Sequence, residues 1–157
     1  MHGADDSLCI DLADEAATLA LGGHLGRALR PGLSVWLVGD LGAGKTTLAR
    51  GLLRGLGYLG RVKSPTYTLV ELYTLSRFNL YHFDLYRIAD PDEWEDAGFR
   101  ECFNDASVCL VEWPEKAREM LPPPDVQVCL EFSDDGRRAW VSGLTEGGKE
   151  CVARLSS

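Results

Sequence analysis

The sequence predicts an α/β fold in which helical layers cover a mixed, mainly parallel central sheet that is extended by an antiparallel hairpin. Three observations carry that reading. Residues 33–38, Leu-Ser-Val-Trp-Leu-Val, form a near-continuous apolar run of the kind found in strands covered on both faces. A glycine-rich turn and an amphipathic stretch follow this run at once, which makes a β–loop–α unit. Residues 67–73 and 79–86 are rich in aromatic and β-branched side chains and are separated by a turn near Ser76-Arg77, which reads as a hairpin.

The remaining elements follow from periodicity and end signals. Asp14 or a neighbour can cap a helix running to about residue 29, with Ala17, Leu21, Leu25 and Leu29 recurring at i+4 and Pro31-Gly32 stopping it. Gly22-Gly23 weakens the middle of that helix. The second helix, residues 45 to about 56, buries Leu48, Leu52 and Leu56, and Gly57 stands where a left-handed cap belongs. Ala89-Asp90-Pro91-Asp92 opens a further helix, with Glu93, Glu95 and Asp96 well placed against its dipole. Residues 108–111 are another core strand, and residues 126–132, 139–141 and 151–155 suggest a late group of strands. There is no repeat, low-complexity tract or linker, and Pro122-Pro123-Pro124 reads as a rigid turn, so residues 1–157 are taken as a single domain.

Composition narrows the function. A formal charge of -8 works against a large nucleic-acid footprint; the small basic groups, Arg61 with Lys63 and Arg137 with Arg138, could serve one phosphate cluster but not a strand. Cys9, Cys102, Cys109, Cys129 and Cys151 have no metal-ligand or redox spacing and read as reduced structural cysteines. The acidic N-terminal residues do not resemble a signal peptide, and no apolar run is long enough to span a membrane, so a cytoplasmic protein is expected.

The chemistry is concentrated in Gly39-Asp40-Leu41-Gly42-Ala43-Gly44-Lys45-Thr46, a full match to G-x-x-x-x-G-K-[ST] between an apolar strand and an amphipathic helix. The motif predicts ATP binding with Mg²⁺ on a P-loop NTPase-like three-layer sandwich. Gly42 and Gly44 let the backbone curl so that N–H groups from Asp40 to Gly44, with Leu41 and Ala43 between them, point at phosphate. Lys45 reaches the β- and γ-phosphates, Thr46 ligates Mg²⁺, and the Thr47 hydroxyl is placed to touch the α-phosphate. The metal also needs an acid at the end of a neighbouring strand. Val108-Cys109-Leu110-Val111-Glu112 makes Glu112 the preferred metal-associated residue, and Asp84, closing Tyr81-His82-Phe83-Asp84, the water-orienting or outer acid. Ser64-Pro65-Thr66 reads equally as a γ-phosphate-sensing switch loop and as a simple proline turn. His82 reads as packing or surface rather than a base, Trp113 as a wall of the site or a partner-binding aromatic, and Trp36, Trp94 and Trp140 as packing residues.

Four segments, Gly39 to Thr47, Ser64-Pro65-Thr66-Tyr67-Thr68-Leu69-Val70, His82-Phe83-Asp84-Leu85-Tyr86-Arg87 and Val111-Glu112-Trp113-Pro114, together closely resemble the TsaE (YjeE) family. The resemblance covers residues from about 14 to at least 114. It implies an ATPase subunit for the threonylcarbamoyladenosine modification of tRNA at position 37, one that binds a complex of TsaB and TsaD and does not itself transfer the carbamoyl group. It further implies phosphate and Mg²⁺ binding by Lys45 and Thr46, metal association of Glu112, a hydrolytic role for Asp84, and nucleotide contacts from Glu15 and Arg137. Two other functions share the phosphate chemistry: a small phosphotransferase, for which no arginine-rich lid is found, and a nucleotide-sensing switch with negligible hydrolysis.

Overall fold

A computed structural model describes residues 7–40, 42–62 and 69–156. Its elements, in chain order, are β1 (Ser7–Leu12), α1 (Glu15–Ala28), β2 (Ser34–Val38), α2 (Lys45–Gly55), β3 (Val70–Thr74), β4 (Asn79–Asp84), α3 (Asp92–Ala97), β5 (Ser107–Glu112), β6 (Val126–Ser133), β7 (Gly136–Gly143) and α4 (Glu146–Ser156). Short 3-10 turns occupy Phe99–Cys102 and Pro114–Lys116. All seven strands form one mixed sheet in the order β1-β7-β6-β2-β5-β4-β3. The central strands β6, β2, β5 and β4 are parallel, and antiparallel pairing is confined to the two flanks. The β3–β4 pair is the hairpin expected from sequence.

Each face of the sheet has its own core. On one face α1, α2 and α4 bury Leu25, Leu48, Leu52 and Cys151 against Val35, Leu37 and Leu110. On the other, α3 and the 3-10 turns close over Trp36, Phe83 and Val111, with the Phe83 ring 5.2 Å from Trp94 and 5.3 Å from Phe99. The two faces alternate along each strand, as a pleated strand buried on both sides requires.

Asp14 caps α1 by accepting from the Ala17 N–H at 2.9 Å. The glycines that looked like a weakness in α1 are where α2 crosses it. A methyl group on Gly22 or Gly26 would collide with the Leu48 or Leu52 carbonyl oxygen, and one on Gly51 with the Leu19 carbonyl. Close packing against α2 therefore outweighs the lost helix propensity, about 1 kcal/mol per glycine.

Three boundaries differ from expectation. Residues 151–155 are the last part of helix α4, not a strand. Cys151 and Val152 are buried and Leu155 packs beside them, an i, i+1, i+4 spacing that five residues are too short to separate from a strand. Strand β1 lay hidden in the acidic N-terminal segment, although Leu8, Ile10 and Leu12 alternate with Cys9 and Asp11 and pair with β7. Strand β4 stops at Asp84, two residues early, because the Asp84 carboxylate accepts the Tyr86 N–H at 3.0 Å and turns the chain.

Candidate functional site

The parallel strands end at one edge of the sheet, where an open α/β fold forms its binding crevice. At this edge β2 hands over to α2 through the phosphate-loop motif. Gly42 and Gly44 have φ of 81° and 108°, values that side chains with a Cβ rarely adopt. Gly39 needs its missing side chain for another reason, since a Cβ there would lie 2.6 Å from the Leu130 carbonyl oxygen. Gly44 is the N-cap of α2 and has no side chain to cap it, so the positive end of the helix dipole faces this edge. Asp40 and Thr46 are exposed and Thr47 half-buried along this edge. Leu41 lies outside the described residues, as do Lys63, Ser64, Pro65, Thr66, Tyr67 and Thr68, and with them the switch-loop alternative.

On the β4–β5 side of the loop the site is packed. Lys45 is only 5% exposed; its Nζ donates to the Gly39 carbonyl at 2.5 Å and lies 3.3 Å from the centre of the Trp113 ring. Burial pushes the ammonium pKa down, and the carboxylates of Glu112, Glu115, Asp84 and Asp40 pull it back up. His82, Asp84 and Glu112 continue the face that begins with Leu80 and Leu110, so all three point to the side covered by α2. Asp84 and Glu112 are register partners at the ends of β4 and β5. Glu112 is 2% exposed and accepts a hydrogen bond from the fully buried His82, Nε2 to Oε2, at 2.6 Å. Asp84 is half-buried. Burial raises its carboxyl pKa and Glu112 adds to the rise, while the Tyr86 N–H, His82 and Lys45 oppose it.

On the β1–β7 side the site is open. Leu12, Asp14, Glu15, Gly42, Gly44, Thr47 and Arg137 line a cleft of about 280 Å³. Arg137 donates from Nη2 to the Gly42 carbonyl at 3.1 Å and holds its guanidinium 4.3 Å over the Phe132 ring. Glu15 accepts from Arg50 Nη2 at 3.0 Å at the start of α1. The structure thus brings Lys45, Asp84 and Glu112 together on one side of the loop, and Glu15, Thr47 and Arg137 on the other.

Among the described residues no three His, Cys, Asp or Glu side chains converge as a metal-binding group. Thr46 and Glu112 at the loop suit a cation that takes most of its ligands from phosphate and water, as Mg²⁺ does, rather than an all-protein cage.

A family model described as "Threonylcarbamoyl adenosine biosynthesis protein TsaE" matches residues 12–140, a span that contains both sides of this site. The chain belongs to the TsaE family. A TsaE from Haemophilus influenzae, named a tRNA threonylcarbamoyladenosine biosynthesis protein, is 45% identical over 157 residues, covering 97% of this chain and 99% of its own. The TsaE of Bacillus subtilis is 43% identical over 109 residues, 69% of this chain and 68% of that one. The crystal structure of Bacillus subtilis YdiB superposes with a TM-score of 0.79 at 30% identity, over 96% of this chain and 94% of that one.

Trp113 lies over Lys45 as a wall of this TsaE-family site, one of its two expected placements, but its left-handed backbone and the His82 bond escaped the sequence reading. His82 is buried as a packing residue would be, yet its ring also holds the Glu112 carboxylate. The signal was available: His82 and Asp84 share a strand face by their two-residue spacing, and a parallel neighbour ending in Glu112 would lie beside them. Trp113 adopts φ 59° and ψ 47°, a left-handed conformation costly for a bulky residue and disfavoured before Pro114. That turn sets the indole over Lys45 and 4.9 Å from the Tyr86 ring. Strain of this kind, about 1–3 kcal/mol, gathers at functional sites, and no sequence pattern announces it.

Proposed function

We propose that this TsaE-family chain is a cytoplasmic ATPase subunit of tRNA threonylcarbamoyladenosine formation, cycling a complex of TsaB and TsaD through binding and hydrolysis of Mg-ATP. The observation that carries the proposal is the buried Lys45 ammonium at the N-terminus of α2, flanked by two carboxylates from adjacent strand ends. An ammonium taken out of water beside N–H groups that lack a side-chain cap suits a polyphosphate. The names of the relatives supply the pathway, and among the described residues no helix is long and apolar enough to cross a membrane.

The division of labour follows the two sides of the loop. The Gly42 and Gly44 turn presents N–H groups to the phosphates, and Lys45 leaves the Gly39 carbonyl to pair with them. Thr46 and Glu112 would hold Mg²⁺, which when bound neutralises charge on the transferred phosphoryl group. Asp84 has a carboxyl pKa raised by burial, so as a base it orients a water and accepts its proton more readily than an exposed aspartate. The open cleft receives the nucleoside end: Arg137 and Glu15 are its polar walls and Phe132 backs the guanidinium.

Phosphate release measured on the protein alone, then with TsaB and TsaD added, tests this reading. Slow turnover alone and faster turnover in the complex is expected. Equal rates in both, or no hydrolysis in either, would refute the cycling role. Transfer of the γ-phosphate to a metabolite in place of water would convert the proposal into a kinase.

A further inference from the structure

We infer that His82 is the positioning residue of this site, fixing the Glu112 carboxylate through its Nε2–H and keeping it from collapsing onto Lys45. The inference rests on the Mg-ATP reading and adds to it a residue that touches neither nucleotide nor metal.

The position of His82 does not call for a polar side chain. Its neighbours on the same face, Leu80 two residues before and Leu110 directly across in the register, are fully buried leucines. An aliphatic residue would continue that row, whereas an imidazole there must find a partner or carry a desolvation penalty. It finds one, at 2.6 Å, in a carboxylate that is itself 2% exposed. A carboxylate can only accept, so the ring proton on Nε2 is the donor. Nδ1 is buried and has no hydrogen-bond partner among the described residues. A bare lone pair in that place costs less than an orphaned N–H, which assigns the ring to the Nε2–H tautomer and commits its one donor to Glu112.

The competing partner is Lys45. Glu112 is the foremost of the carboxylates that hold the Lys45 ammonium charged, yet Lys45 donates to Gly39 and not to Glu112. Direct closure of the two would neutralise the cation needed for phosphate and the anion needed for metal. The His82 bond holds Oε2 on the β4 side and leaves Oε1 to serve the metal or its water. Outer partners that orient a ligand in this way are worth about 10- to 100-fold in metal affinity or activity when removed.

The test uses the full chain and measures ATP affinity with MgCl₂ and with EDTA, alongside the melting temperature. His82→Gln keeps an amide N–H near the Nε2 position, and His82→Asn places it near Nδ1, out of reach of Glu112. The two substitutions share polarity and burial, so a folding penalty falls on both and only the Mg²⁺ response separates them. The expected result is that His82→Asn loses about 10-fold or more of the tightening that Mg²⁺ gives, beyond any smaller loss it shows in EDTA as Glu112 closes on Lys45. His82→Gln retains most of it, and adding His82→Asn to Glu112→Gln costs nothing further, because His82 acts only through that carboxylate. Equal loss in both variants, full Mg²⁺ tightening in His82→Asn, or an additive double mutant would overturn the role. A wild-type chain that binds no ATP, or gains nothing from Mg²⁺, would overturn the underlying reading before any variant is made. Nitrogen-15 NMR of the wild-type ring checks the bond itself. A proton on Nε2 whose resonance moves in Glu112→Gln supports the assignment, and a proton found on Nδ1 in its place overturns it.

Discussion

The two sides of the loop at residues 39–46 differ sharply in burial and in bonding. Toward β4 and β5 the residues are Lys45, His82 and Glu112, all at most 5% exposed and each tied to a neighbour. Toward β1 and β7 the cleft is walled by an exposed Glu15 and by Arg137, which rests on a Phe132 ring that is 54% exposed. The packed side is built on the ends of parallel strands, where register fixes each side chain to within the pleat. The open side is built on the start of α1 and the beginning of an antiparallel flanking strand. On the proposed Mg-ATP reading, the contrast separates two tasks. Chemistry on phosphate demands fixed charges in a dry setting, where a small displacement is expensive. Holding a nucleoside tolerates looser, solvated contacts, each worth little by itself.

If this separation is right, substitutions on the packed side will act on chemistry or weaken binding strongly, and those on the open side will weaken binding modestly and leave turnover alone. Asp84→Asn should show the largest effect: turnover in the presence of partners falls about 10²- to 10⁴-fold while ATP affinity is kept, as removal of a general base predicts. A turnover near that of wild type would remove Asp84 from the mechanism. Lys45→Met comes next. Losing charge-assisted bonds to phosphate, about 1.5–3 kcal/mol in total, weakens ATP by about 10- to 100-fold in a titration. Its melting temperature without nucleotide should not drop, because the buried ammonium is held against a desolvation penalty. A large loss of stability would mean that Lys45 is structural cement. Arg137→Ala is expected to weaken ATP by about tenfold, near 1.4 kcal/mol, with turnover at saturation unchanged. Should it abolish turnover as Asp84→Asn does, the two sides are not separate and the comparison fails.

The same division decided what could be read from sequence. The β2–loop–α2 unit, the β3–β4 hairpin and the acids closing β4 and β5 are local patterns, and each was legible because periodicity and end signals lie within a dozen residues. Strand β1 was missed because its pairing with β7 joins residues about 130 positions apart, and its alternation is only three side chains long. The segment at residues 151–155 was misread because a short apolar cluster fits both periods until it is known what packs against it. At the site, the sequence singled out Lys45, Asp84 and Glu112, and the structure brings these three together. The bond from His82 and the Trp113 ring over Lys45 depend on strand register and on one left-handed residue, and neither is encoded in spacing along the chain.

The smallest effect sharpens the comparison by asking whether the packed side is as dry as its geometry implies. The Asp84 carboxyl pKa is raised in the folded protein, mainly by burial and further by Glu112. Below about pH 4, near the ordinary aspartate value, both folded and unfolded chains keep the Asp84 proton and the group is neutral in the balance. As pH rises, the unfolded chain releases that proton first, so it binds fewer protons than the folded one and stability declines. The decline ends once pH passes the raised folded value, leaving a constant deficit above it. Asp84→Asn has no proton to release at this position. Its melting temperature without nucleotide should therefore gain on the wild type as pH climbs from about 4 toward neutrality, then run parallel to it. Subtracting the two curves cancels the carboxylates remote from Asp84. A difference that stays flat across the range would mean that Asp84 is solvated like the residues of the open cleft, and the packed side would then end at Glu112.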